Sequence, residues 1–166
     1  WEVKLTVVDN NGFEDSTKSM VYVNYRGVWE DFVIDRAQPN PVIMTWEYPV
    51  TYETESKDRI RYMRAKLSYP KEDEDQPGGG LPGQTTSNRL DLYIYNSTDD
   101  EVANTTGIEN DNRDAGDCGG DEYCVWMVIG GSTVRGLLPG EWTVDLENAE
   151  THNTNVNQLV IELQYR

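Results

Sequence analysis

Between Asp99 and Glu122 the chain carries nine acids against a single base, Arg113. Asn110, Asp111, Asn112, Asp114, Asp117 and Asp121 in this run are the hard oxygen donors that calcium takes, and a bound calcium would relieve their mutual repulsion. A helix-loop-helix calcium loop needs acids at alternate positions and Gly at the sixth; Ala115 and Gly116 fall out of that register. The run therefore reads either as a calcium site or as a solvated acidic loop. It ends in Cys118-Gly-Gly-Asp-Glu-Tyr-Cys124, where the glycines let the backbone turn back and bring the two sulfurs within bridging distance. A disulfide is expected. Zinc held by the two thiolates would want two more Cys or His ligands, and the chain has one histidine, His152.

Catalytic chemistry finds little purchase. A Ser-His-Asp or Cys-His arrangement would have to use His152, which sits in the polar run Glu150-Thr-His-Asn-Thr-Asn155, and no Gly-x-Ser-x-Gly motif occurs. Gly78-Gly79-Gly80 lies among prolines with no helix pattern after it, so a phosphate loop is unsupported. Two N-glycosylation triplets, Asn96-Ser-Thr and Asn104-Thr-Thr, fall in polar stretches where a glycan could sit in solvent.

Around these residues stands a chain of 166 with 37% hydrophobic content, ten Tyr and five Trp, enough to fill a sizeable core. Thirty acids against fourteen bases give a formal charge of −16, which repels nucleic acid and anionic membranes and suits a marine or halophilic surface protein. No window approaches the ~18 apolar residues of a membrane span, and no basic-then-apolar leader opens at Trp1, so a mature or excised piece is expected. With the disulfide, the sequons and the acidity together, a secreted or cell-surface location is expected.

The dominant hydrophobic period is two. Trp1, Val3, Leu5 and Val7 alternate with Glu2, Lys4 and Thr6, Asp9-Asn10-Asn11-Gly12 supplies a hairpin turn, and Met20 to Tyr25 is predicted as the return strand. Further strands are predicted at Asp31 to Asp35, Val42 to Tyr52, Arg59 to Tyr69, Arg89 to Tyr95, Cys124 to Ile129, Thr133 to Leu138, Glu141 to Glu147 and Asn157 to Tyr165. About ten short strands divided by Gly, Pro, Asn and Asp clusters predict an all-β antiparallel sandwich, jelly-roll-like, with little or no helix. Residues 71–87, with Glu72-Asp73-Glu74-Asp75 and then Pro77-Gly78-Gly79-Gly80-Leu81-Pro82-Gly83, are predicted as a flexible loop.

Two resemblances follow from particular residues. The segment Trp1-Glu-Val-Lys-Leu-Thr-Val-Val-Asp-Asn-Asn-Gly12, with Ser16-Thr17-Lys18 and Val21-Tyr22-Val23, resembles the closing hairpin of a polycystic kidney disease (PKD) repeat. This divides the chain into a terminal hairpin, 1–25, and a body, 26–166. In the body, Asn88-Arg-Leu-Asp-Leu-Tyr-Ile-Tyr-Asn-Ser-Thr98, Glu101-Val-Ala-Asn-Thr-Thr-Gly107 and Leu138-Pro-Gly-Glu-Trp-Thr-Val-Asp-Leu-Glu147 look like a pre-peptidase C-terminal β-sandwich. That resemblance implies an accessory domain of secreted proteins and calcium on the Asp-Leu-Asp-Leu-Tyr strand. Arg89 departs from the family pattern, leaving Asn88 and Asp91 to carry the metal role over.

Trp29, Trp46, Tyr48, Tyr52, Tyr62 and Trp126 would form either a sugar-stacking platform or core. Trp46 and Tyr48 share a parity with Val42 and Met44, which favours core, whereas Tyr93 and Tyr95 oppose Leu90, Leu92 and Ile94 and are predicted on the outer face. The expected function is a non-catalytic accessory or binding module, whose partners would be other domains of the same surface protein, further copies through a donated strand, or a glycan. The alternatives are a self-assembling surface or filament subunit and a carbohydrate-binding module of a hydrolase.

Overall fold

The computed structural model describes residues 2–21, 23–52, 60–73, 86–113 and 118–166. Its first element is a hairpin in which β1 (Glu2–Val8) pairs antiparallel with β2 (Glu14–Met20). The turn is made as its residue types require. Asp9 Oδ1 accepts the amides of Asn11 and Phe13 at 2.8 and 3.0 Å, and Gly12 takes the positive φ of 81° that closes the loop. The predicted return strand, Met20 to Tyr25, is corrected: β2 ends at Met20, where that strand was expected to begin, and Tyr25 opens the first strand of the body, because the Asp9 side chain closes the turn immediately and Glu14 already faces Val8.

The body is an antiparallel β-sandwich. Its first sheet joins β3 (Tyr25–Ile34), β5 (Ile60–Pro70), β10 (Glu122–Gly130) and β12 (Thr154–Tyr165) in the order β10-β5-β12-β3. The second joins β4 (Val42–Val50), β8 (Leu90–Tyr95), β9 (Glu101–Asn104) and β11 (Gly140–Asn148) in the order β4-β11-β8-β9. Period-two sequence becomes two-faced sheet most clearly in β8 and β11. Leu90, Leu92, Ile94, Trp142, Val144 and Leu146 are fully buried, while Asp91, Tyr93, Tyr95, Thr143, Asp145 and Glu147 line the other face. The inward row meets Met63, Ala65, Leu67, Leu159 and Ile161 of the first sheet in one core, each full-length aliphatic contributing ~2 kcal/mol by leaving water. Tyr48 is buried and Trp29, Trp46 and Tyr52 pack against the core, as the parity of Trp46 and Tyr48 predicts.

Two local expectations are corrected. Thr133 to Leu138 is no strand: Gly131–Gly136 forms a short helix, α1, with Val134 buried and Arg135 Nη1 donating to the Ile60 carbonyl at 2.6 Å. Residues 71–87 are not all loop either. Their ends form a small ribbon in which β6 (Glu72–Asp73) pairs with β7 (Thr86–Ser87), and residues 74–85 lie outside the described residues. The edge strand β9 was absent from the sequence reading, its four residues being too few for a visible period.

Candidate functional site

The acidic run is organised around its one base. Arg113 is fully buried, and each of its five N–H donors has an acceptor. Nε donates to the Ile108 carbonyl at 2.9 Å; Nη1 to the Leu90 carbonyl at 2.6 Å and the Tyr69 hydroxyl at 3.0 Å; Nη2 to Asp91 Oδ1 at 2.5 Å and the Thr105 carbonyl at 3.2 Å. The Arg113 carbonyl in turn accepts the Cys124 amide at 2.6 Å, which ties the run to the start of β10.

Asp91 is the matching anion. Besides Arg113 it accepts the Thr105 hydroxyl at 2.9 Å on Oδ1 and Arg89 Nε at 3.3 Å on Oδ2. Burial acts to raise its pKa, but the hydrogen bond and charge of Arg113 outweigh that and hold the carboxyl below its ordinary value. Tyr69 is pushed up by burial, against the opposing charge of Arg113.

Asn88, the other residue given a calcium role by resemblance, is also fully buried. Its Nδ2 donates to the Pro70 carbonyl at 2.9 Å, which leaves Oδ1 to accept from His152 Nε2 at 2.8 Å and sets that tautomer. Asn148 continues the network by donating to the carbonyls of Asp35 and His152, both at 3.1 Å. His152 is thus a linchpin of the loop before β12. Asn88 and Asp91 do not fit calcium, since protein donors already occupy their oxygens and a guanidinium neutralises the carboxylate. Asp111 and Asp121 are exposed, and Asp114 and Asp117 lie outside the described residues. Among the described residues no three His, Cys, Asp or Glu side chains are placed to hold a metal ion.

Cys118 and Cys124 form the expected disulfide, with Cα atoms 5.8 Å apart. No protein-family model matches the chain, and no curated protein matches it.

The two sequons differ sharply. Asn96 is 4% exposed; its Oδ1 accepts the Thr98 amide, the Thr98 hydroxyl and the Asp100 amide at 2.8–2.9 Å, and its Nδ2 donates to Asp100 Oδ2 at 3.3 Å. Asn104 is exposed, with Oδ1 accepting the Thr106 hydroxyl at 2.7 Å and Nδ2 donating to Glu101 Oε1 at 2.5 Å.

Tyr93 and Tyr95 stand on the outer face, as predicted. Both are half-buried, and their rings are nearly parallel, with centroids 6.4 Å apart. The Tyr93 hydroxyl donates to Glu147 Oε1 at 3.3 Å; burial and then the Glu147 charge push its pKa up to about 12. On the first sheet's outer face, Trp126 is 41% exposed beneath the guanidinium of Arg64. Sequence reading missed Arg113 and Thr105 as organisers; the signal available was a lone base within an otherwise acidic run.

Proposed function

We propose that this chain is a non-catalytic module of a larger secreted or cell-surface protein, of the kind the PKD and pre-peptidase C-terminal resemblances imply, and that its hairpin joins it to a neighbouring β-domain. The observation that carries this reading is the apolar row Val3, Leu5 and Val7, which share one face of β1 and are 50%, 60% and 59% exposed. The hairpin forms a two-stranded sheet of its own, separate from both sheets of the sandwich. A ribbon with an uncovered apolar row is marginally stable in water, and covering it is what a neighbour would do.

A non-catalytic role is supported by how the titratable side chains are spent. His152 is committed to Asn88, and Asp91 and Arg113 neutralise each other, so each of these groups builds the fold. The disulfide and the acidic surface support an extracellular setting.

Analytical ultracentrifugation across a hundredfold range of concentration tests this. A species that stays monomeric is expected, because the ribbon's partner is a different domain. Concentration-dependent growth into long species would overturn the reading in favour of self-assembly, with the hairpin of one copy adding to an open edge such as β10 of the next.

A further inference from the structure

We infer that Asn104 is the chain's N-glycosylation site and that the first sugar of its glycan rests on the Tyr93–Tyr95 pair. Tyr93 of β8 lies directly opposite Asn104 of β9 in the antiparallel ladder. Residues so placed share a sheet face with Cβ atoms about 5 Å apart. Ile94 and Ala103, the next pair, point the other way, which leaves Tyr93 and Asn104 together on the outside.

The direction of the amide is fixed as well. Thr106 holds Asn104 Oδ1 through both its amide, at 3.1 Å, and its hydroxyl, while Nδ2 points along β9 to Glu101. Glu101 is the cross-strand partner of Tyr95. A sugar on Nδ2 therefore starts beside the two rings, whose faces suit the apolar C–H face of a pyranose. Tyr93 is held ready for it by its bond to Glu147.

Asn96 offers the opposite case. Its oxygen is filled by three donors and its nitrogen is buried against Asp100, so the same triplet serves there as a turn.

In the modification, the Asn104 amide nitrogen attacks the anomeric carbon of a polyprenyl-phosphate-linked sugar. The C–N bond forms, the anomeric C–O bond breaks, the polyprenyl-linked phosphate leaves with its electron pair, and the nitrogen gives one proton to the transferase. The inference rests on the secreted reading only for this meeting with a transferase, which an expression host can supply.

The test is secretion of the whole chain from a host that attaches N-linked glycans, followed by glycopeptide mass spectrometry. Occupancy at Asn104 with Asn96 bare is expected; a bare Asn104, or a glycan on Asn96, would overturn the assignment. Because the host provides the location, either result concerns this site and leaves the native protein's location to cell fractionation. Stacking is read by thermal midpoint and by NMR. Trimming the glycan to its first sugar is expected to keep a gain of about 3 °C over the unglycosylated chain, the scale of one modest contact in a protein of this size. Tyr93→Leu is expected to erase that gain and the upfield shift of the sugar's ring protons. An equal gain and unshifted protons in Tyr93→Leu would overturn the stacking.

Discussion

Arg113 shows why a charge inside an acidic run need not be solvated. All five of its donors are satisfied and its carboxylate partner lies 22 positions earlier in the chain, on β8. The sign of the pH effect follows from Asp91. A carboxyl whose pKa is lower in the folded chain than in the unfolded one contributes stability that is present above the ordinary value of 3.8 and is lost as pH falls through the folded value. Asp91→Asn keeps the shape and removes the charge. It is expected to cost about 3 kcal/mol at pH 7 by leaving Arg113 buried and unpaired, and to flatten the stability loss below pH 3.8. Denaturant unfolding at pH 7 and pH 3 checks both, and a pH profile parallel to that of the original chain would contradict the assignment. The acids of this region were visible as a group. That Asp91 belongs to Arg113 was not, because the pairing depends on which strand Thr105 and Ile108 are folded against.

At the scale of elements, alternation was readable wherever one face meets the core and the other meets water. Leu90 to Tyr95 and Glu141 to Glu147 are the plainest cases, and Tyr93 and Tyr95 emerge on the face that parity assigns. Thr133 to Leu138 misled because Thr and Val favour strands locally, whereas the chain there is set by packing against the start of β5. Gly131 decides it: a Cβ at that position would collide with the carbonyl oxygens of Ile60 and Arg61, so only glycine lets α1 approach. Gly131→Ala is expected to destabilise the chain by about 3 kcal/mol, the upper range for an overpacked site, as read by urea unfolding. A loss under ~0.5 kcal/mol, the level of an ordinary surface change, would show that the contact gives way easily. The return strand, expected at Met20 to Tyr25 and found at Glu14–Met20, was misplaced for a related reason, since its position depends on hydrogen bonds made by the Asp9 side chain.

The whole molecule has two unlike parts. The strands of the second sheet carry Glu47, Glu101, Glu141, Asp145 and Glu147 besides the Arg-paired Asp91, and no Lys or Arg, which gives one acidic outer face. The hairpin instead carries an apolar row, Val3, Leu5 and Val7, that is exposed along β1, and composition alone did not show that the sandwich would leave this row uncovered. The claim that this ribbon awaits a neighbouring domain is tested most directly by hydrogen exchange on the dilute, monomeric chain. Amides of β1 and β2 are expected to exchange at close to unprotected rates while those of β5, β8, β11 and β12 stay protected to the level of global unfolding. Protection of the hairpin equal to that of the sandwich would contradict this, because the ribbon would then be held as firmly as the core without any neighbour.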